Sequence, residues 1–164
     1  MMTPLGAFLA TTLLACACLA QSRTYSGPRP AKPDLPYLVH ADNLIETEAA
    51  EAREEQRKDA NAYVTAGAAS PVRTPLAEPI FLLLSEKLPP QKLTLFRMEV
   101  KGGNREIVFP APGKKKVESP RPIRILVTKL EEGLHRIEAN EWLDNGEYCL
   151  SPDGSNRVFC FQVY

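Results

Sequence analysis

Gly146-Glu147-Tyr148-Cys149-Leu150-Ser151-Pro152-Asp153-Gly154-Ser155-Asn156-Arg157-Val158-Phe159-Cys160-Phe161-Gln162-Val163 is the stretch whose reading decides the fold. Two runs rich in aromatic and β-branched residues flank a loop of turn-forming residues, the pattern of two antiparallel strands joined by a turn. If Cys149 faces Cys160, then Leu150 faces Phe159 and Tyr148 faces Phe161, so the hairpin and a disulfide imply one another. Side chains alternate along a strand. Tyr148, Leu150, Phe159, Phe161 and Val163 therefore make one apolar face, and the disulfide shares the other with Glu147 and Gln162. The expectation is a staple on an outer face, beside the core rather than through it. Closing so short a loop contributes about 2 to 3 kcal/mol in the chain-entropy model. A metal–thiolate pair is the rival use of the two sulfurs, but without nearby histidines they offer too few soft ligands.

Working back from that hairpin, short runs of Ile, Val, Leu and Phe recur between turn residues, and each reads as a strand. The seven runs are Ile80 to Leu84, Leu93 to Val100, Arg105 to Phe109, Ile123 to Thr128, Leu134 to Ala139, Gly146 to Leu150 and Val158 to Val163. Ile123, Ile125 and Val127 alternate with Arg124 and Leu126, so most runs have one buried and one wetter face, as in a sandwich. Gly102-Gly103 supplies the positive φ values of a two-residue hairpin loop, which sets Met98 opposite Ile107 and Phe96 opposite Phe109. All four are expected in the core. The same register brings Glu99 against Glu106, a like-charge pair that requires a wet face or a bulge. Fifteen prolines argue further against a helical bundle.

Leu143-Asp144-Asn145-Gly146-Glu147-Tyr148 matches the L-x-x-G-x-Y tyrosine corner, and the chain here resembles immunoglobulin-like and fibronectin-type-III sandwiches. The resemblance implies an all-β, seven-stranded Greek-key sandwich over residues 76–164, with Leu143, Gly146 and Tyr148 as its structural corner. The chain departs from the antibody pattern in joining its last two strands by the disulfide and in placing Trp142 just before the corner. The ending also resembles uncharacterised exported bacterial proteins, a likeness that implies no activity.

The N-terminal half is organised differently. Leu5 to Ala15 is an apolar run of signal-peptide length, too short to span a bilayer as a helix, with Cys18 and Ala20 placed for cleavage before Gln21. No Lys or Arg precedes it. Leu13-Leu14-Ala15-Cys16 also resembles a lipobox, which would make Cys16 an acylated N-terminus and the protein a lipid-anchored envelope subunit. Either route exports the chain to a periplasmic or extracellular compartment, where a disulfide persists. Residues 21–36 carry Pro28, Pro30, Pro33 and Pro36 and read as an extended linker, or as a docking peptide for an aromatic groove. Residues 37–75 form a charged segment, a helix or hairpin that packs on the sandwich or precedes it. Glu46 to Lys58 has helix-forming composition with only a thin stripe of Ile45, Ala49 and Ala52, and the alternative is a hairpin of Leu44 to Ala52 with Asn61 to Ala66.

Function is less legible. The net charge is zero, which removes support for a nucleic-acid partner. Nucleophile-elbow, zinc-helix and phosphate-loop motifs are absent, and the expectation is a non-catalytic binding or structural module of the envelope, without cofactor or metal. His40 with Asp42 would supply two metal ligands but no third. His135 reads as a half-exposed sheet residue, and Glu54-Glu55 and Glu131-Glu132 as solvated charge rather than paired catalytic acids. Lys114, Lys115 and Lys116 form an exposed basic loop able to contact an anionic lipid or glycan. Trp142 with Tyr148 is a candidate sugar-stacking platform, although a lone Trp at such a corner more often packs inward. The partner is thus an envelope protein or a glycan, and the second reading of the function is a glycan-binding or glycan-processing sandwich.

Overall fold

The computed structural model describes residues 24–114 and 117–164. The export segment, its cut before Gln21, Cys16, Lys115 and Lys116 lie outside the described residues. The protein is all-β, with two antiparallel sheets and no α-helix among the described residues, hence none that is long and apolar enough to cross a membrane.

Six short strands come first: β1 (Tyr37–His40), β2 (Asn43–Glu46), β3 (Glu48–Glu51), β4 (Arg53–Arg57), β5 (Ala60–Thr65) and β6 (Arg73–Thr74). The seven strands read from the sequence follow as β7 (Ile80–Leu84), β8 (Leu93–Lys101), β9 (Asn104–Pro110), β10 (Ile125–Glu131), β11 (Leu134–Ala139), β12 (Gly146–Pro152) and β13 (Arg157–Val163). The starts agree to within one residue except that of β10, which begins two residues later than expected. Ile123 precedes β10 and makes a single bridge to Leu95 of the other sheet.

The first sheet runs β10-β11-β7-β1-β2, and the second runs β3-β13-β12-β8-β9-β5-β4 with β6 parallel beside β13. Residues 37–75 are therefore not a separate segment ahead of the sandwich: their strands complete both sheets. The helix alternative over Glu46 to Lys58 is replaced by β3 and β4, and β4 pairs with β5 from Arg53↔Val64 to Arg57↔Ala60. Helix propensity loses here because Ala62 and Val64 bury against β9, a gain that an isolated charged helix lacks. Nor is the Pro-rich stretch a free linker throughout. Pro30 and Leu35 are buried, and the Asp34 Oδ1 accepts the amide N–H groups of Glu86, Lys87 and Leu88 at 2.9, 2.8 and 2.8 Å.

The main core lies between the sheets. Tyr148, Leu150, Phe159, Phe161, Val163 and Leu95 from the second sheet pack on Leu38, Phe81, Leu83 and Ile137 from the first. Phe161 stacks on Tyr148 at 5.7 Å and meets Phe81 at 5.0 Å between ring centroids. The C-terminal register is Tyr148↔Phe161, Cys149↔Cys160 and Leu150↔Phe159, as the alternation requires, and Cys149 and Cys160 form a disulfide with Cα atoms 4.0 Å apart.

The disulfide's surroundings correct the expectation of an outer face. It does lie with Glu147 on the side away from the main core, yet Cys149 and Cys160 are buried, with Ala52, Met98, Ile107 and Val158 around them in a second core. The cause is the path of the second sheet. Its first and last strands, β3 and β4, are successive in the chain and separated only by Ala52, so the sheet curls until the chain itself closes it. Ala52 is held at that seam by its N–H donating to the Asn156 carbonyl at 2.8 Å.

Candidate functional site

The second core is a wedge between two arms of one sheet. One arm is β3-β13-β12-β8 and the other is β9-β5-β4. They meet at the Gly102-Gly103 hairpin, both glycines having positive φ (57° and 77°), through the pairs Lys101↔Asn104, Val100↔Arg105 and Glu99↔Glu106. Beyond Glu99 the ladder stops. β8 continues along β12 to Leu93↔Pro152, while β9 continues along β5 to Pro110↔Ala60, so the arms part. Met98 and Phe96 on one arm still face Ile107 and Phe109 on the other, with the Phe96 and Phe109 rings edge to face at 5.6 Å. The expected register is present, but hydrogen bonds support only its first three pairs.

Where the arms part there is a cavity of about 750 Å³. Toward the β8–β9 ladder it is lined by Met98, Ile107 and Tyr63, next by Phe96, Cys149, Phe109 and Asn61, and toward the far ends of the strands by Thr94, Ser151, Val158 and Ala52 with the loops carrying Gln91, Lys92, Asp153, Ser155 and Asn156. Tyr63 and Phe109 also meet edge to face, at 5.9 Å. The volume falls in the range of small-molecule sites, and the lining combines apolar walls with few polar groups, as such sites do. Among the described residues, Lys92 and Asp153, both exposed at the rim, are its only charged ones.

The opposite end of the wedge is closed by buried charge. Arg105 has no exposed surface. Its Nη1 and Nη2 donate to Glu48 Oε2 and Oε1 at 2.6 and 2.8 Å, Nη2 also donates to the Ala66 carbonyl at 2.8 Å, and Nε donates to the Gly67 carbonyl at 3.0 Å. Glu147 Oε2 lies 3.8 Å from Arg105 Nη1 and accepts the Ser70 N–H at 2.9 Å. Arg105 thus ties β9 to β3 and β12, one arm to the other. Burial raises the Glu147 carboxyl above its ordinary range, against the downward pull of the Ser70 amide and Arg105. Burial would also raise Glu48, but the Arg105 hydrogen bonds, the Ser70 side chain and the Arg105 charge outweigh it and bring Glu48 below its ordinary range.

The like-charge pair Glu99↔Glu106 is relieved on the outside of the wedge. Arg57 Nη1 and Nη2 donate to Glu106 Oε1 and Oε2 at 3.2 and 2.7 Å, and Glu99 stays exposed. These contacts hold the Glu106 carboxyl below its ordinary range despite burial.

Other residues singled out in the sequence are scattered. At the corner, Leu143 is buried and the Tyr148 hydroxyl donates to the Asp144 carbonyl at 2.7 Å. No shared platform forms: Tyr148 is buried in the main core whereas Trp142 is 75% exposed. His40 is exposed at the end of β1, Asp42 sits in the β1–β2 turn, and no metal-competent group of three ligands occurs among the described residues. His135 is half-buried between Lys129 and Leu83. Glu55 lies between Arg53 and Arg57, Glu131 pairs with Arg29, and Glu132 pairs with Lys129. Lys114 Nζ is 3.6 Å from Asp59.

Sequence reasoning placed Phe96, Met98, Ile107 and Phe109 together but missed that they line an opening, and it missed Tyr63 and the Arg105 cluster. The signal for Arg105 was present, since it shares the alternating face of Ile107 and Phe109. Comparison with known proteins yields nothing: no family model, no curated protein and no solved structure matches this chain.

Proposed function

We propose that the protein is an exported, non-catalytic binding module of the cell envelope whose ligand site is the open end of the second core. The observation that carries this reading is the cavity of about 750 Å³ between two arms held apart in a fixed way, by the hairpin and the Arg105 cluster at one end and by Ala52 at the seam. A preformed concave site with aromatic walls needs little reorganisation to bind. Among the described residues the cavity wall offers one carboxylate, Asp153 at the rim, whereas two-carboxylate hydrolysis uses a pair. The disulfide supports an oxidising compartment. The corner hydrogen bond of Tyr148 supports an immunoglobulin-like or fibronectin-like Greek-key ancestry for the sandwich half.

The test compares wild type with Thr94→Trp, a large side chain at the entrance, against panels of amphiphiles, oligosaccharides and peptides by native mass spectrometry. A ligand held by wild type and lost by the variant supports the site. Equal binding by both locates recognition elsewhere. A second reading, glycan contact through the outer surface, is favoured only by Trp142, whose exposed ring would stack on a sugar; Trp142→Ala would then abolish binding and Thr94→Trp would not.

A further inference from the structure

The chemistry of the cavity changes along its length. One end lies toward the β8–β9 hairpin ladder and the Arg105–Glu48 pair, and its entrance lies between the loops at the far ends of the same strands. From entrance to floor the lining passes from exposed amide, hydroxyl and charged groups, through Phe96, Phe109 and Cys149, to Met98 and Ile107 at the ladder. We infer that the ligand is a single-chain amphiphile, an acyl chain that enters tail first and leaves its polar head at the rim beside Lys92. This rests on the cavity being the binding site and adds what it takes.

Three observations favour a chain over other ligands. A sugar ring at the floor would lose water from its hydroxyls with no polar partner on Met98 or Ile107, a cost that such a site does not offset. The two arms converge toward Glu99↔Glu106, so the space narrows with depth, which suits a flexible chain better than a broad fused-ring body. Methionine at the floor and the disulfide sulfur of Cys149 beside Phe96 are polarisable and adaptable. At the rim, Lys92 is exposed and lies next to the Asp153 loop, whose N–H donates to the Lys92 carbonyl at 2.9 Å. A head group there stays in water while its tail does not.

The experiment is displacement of the fluorescent probe N-phenyl-1-naphthylamine from the folded, oxidised protein by linear alkanoates of increasing length, with maltohexaose as the sugar arm. Each methylene taken from water should tighten binding about fourfold until the tail reaches the floor, after which longer chains gain nothing. Ile107→Phe, which fills the floor, should move that limit to a shorter chain, and Trp142→Ala should leave it in place. Met98→Phe serves if Ile107→Phe does not fold. Affinity independent of chain length, or a limit unmoved by a folded floor variant, overturns the inference. Displacement of the probe by maltohexaose, blocked by Thr94→Trp, also overturns it while the cavity remains the binding site. Absence of any probe or alkanoate binding, together with equal behaviour of wild type and Thr94→Trp toward every ligand, overturns both.

Discussion

Strands β8, β12 and β13 form a wall with a core on each side, and the two cores are built to different rules. On one side Tyr148, Leu150, Phe159 and Phe161 meet a separate sheet, and large aromatic and aliphatic side chains fill the gap. On the other, Met98, Cys149, Val158 and Cys160 meet the curled end of their own sheet, where small residues, a disulfide and a buried ion cluster take the place of dense aromatic packing. A second sheet can settle at whatever distance its side chains demand. A sheet curling onto itself cannot, because hairpin and seam fix how far its arms part, and the space left over becomes a cavity. The comparison teaches that stability and binding are divided between two faces of the same strands.

The hardest test of that division is truncation on the two faces. Phe161→Ala should cost about 3 to 5 kcal/mol in chemical denaturation, as expected for a fully buried aromatic, whereas Met98→Ala, beside a space already open, should fall at the lower end of the 2 to 5 kcal/mol typical of such truncations. Equal losses would dissolve the distinction. Arg105→Met should cost about 3 to 5 kcal/mol by leaving the buried Glu147 and the half-buried Glu48 near one another without their cation, and adding Glu48→Gln and Glu147→Gln should recover part of the loss. Failure to recover would mean that Arg105 acts by packing alone.

Smaller effects sharpen the picture. Replacing Cys149 and Cys160 together by alanine should cost more than the chain-entropy contribution of about 2 to 3 kcal/mol, because both sulfurs are buried and the second core loses their packing as well. Tyr148→Phe should cost about 1 kcal/mol, the loss of one hydrogen bond to the Asp144 carbonyl with the ring still stacked on Phe161. The last prediction concerns pH. Glu147 holds its proton more tightly folded than unfolded, so its contribution falls as pH rises from the ordinary carboxyl range through its raised folded value. Glu48 and Glu106, whose folded values are lowered, contribute stability above the ordinary range that disappears as pH falls through those values. Glu147→Gln should therefore gain stability relative to wild type near neutral pH and lose that advantage below about pH 4, and Glu48→Gln should do the reverse. Melting curves across that interval decide between them.

Much of the sandwich was legible residue by residue. The seven strands from Ile80 onward, the facing of Tyr148 with Phe161 and the pairing of Cys149 with Cys160 follow from apolar runs of strand length and from alternation. The strands before them were obscured for a physical reason. Arg53-Glu54-Glu55-Gln56-Arg57 has helix-forming composition, and it is extended because β5 offers it a partner and because Arg57 reaches across to Glu106. Ala60, Ala62 and Val64 carry too little hydrophobicity to announce a buried strand, yet all three are buried.

What the sequence by itself determined is which side chains share a face, since the two-residue period of a strand is local and survives any tertiary arrangement. Cys149 had to lie with Glu147, and Arg105 with Ile107 and Phe109, whatever the fold. Only the tertiary structure decided what closes each face. The bend at Ala52 carries the chain from one edge of a sheet to the other, and the pairing it makes possible joins β4 to β5, β5 to β9 and β3 to β13, residues up to 112 positions apart, here Glu48 and Cys160. No local pattern specifies such closure, because its free energy comes from surfaces that meet only after the chain has folded.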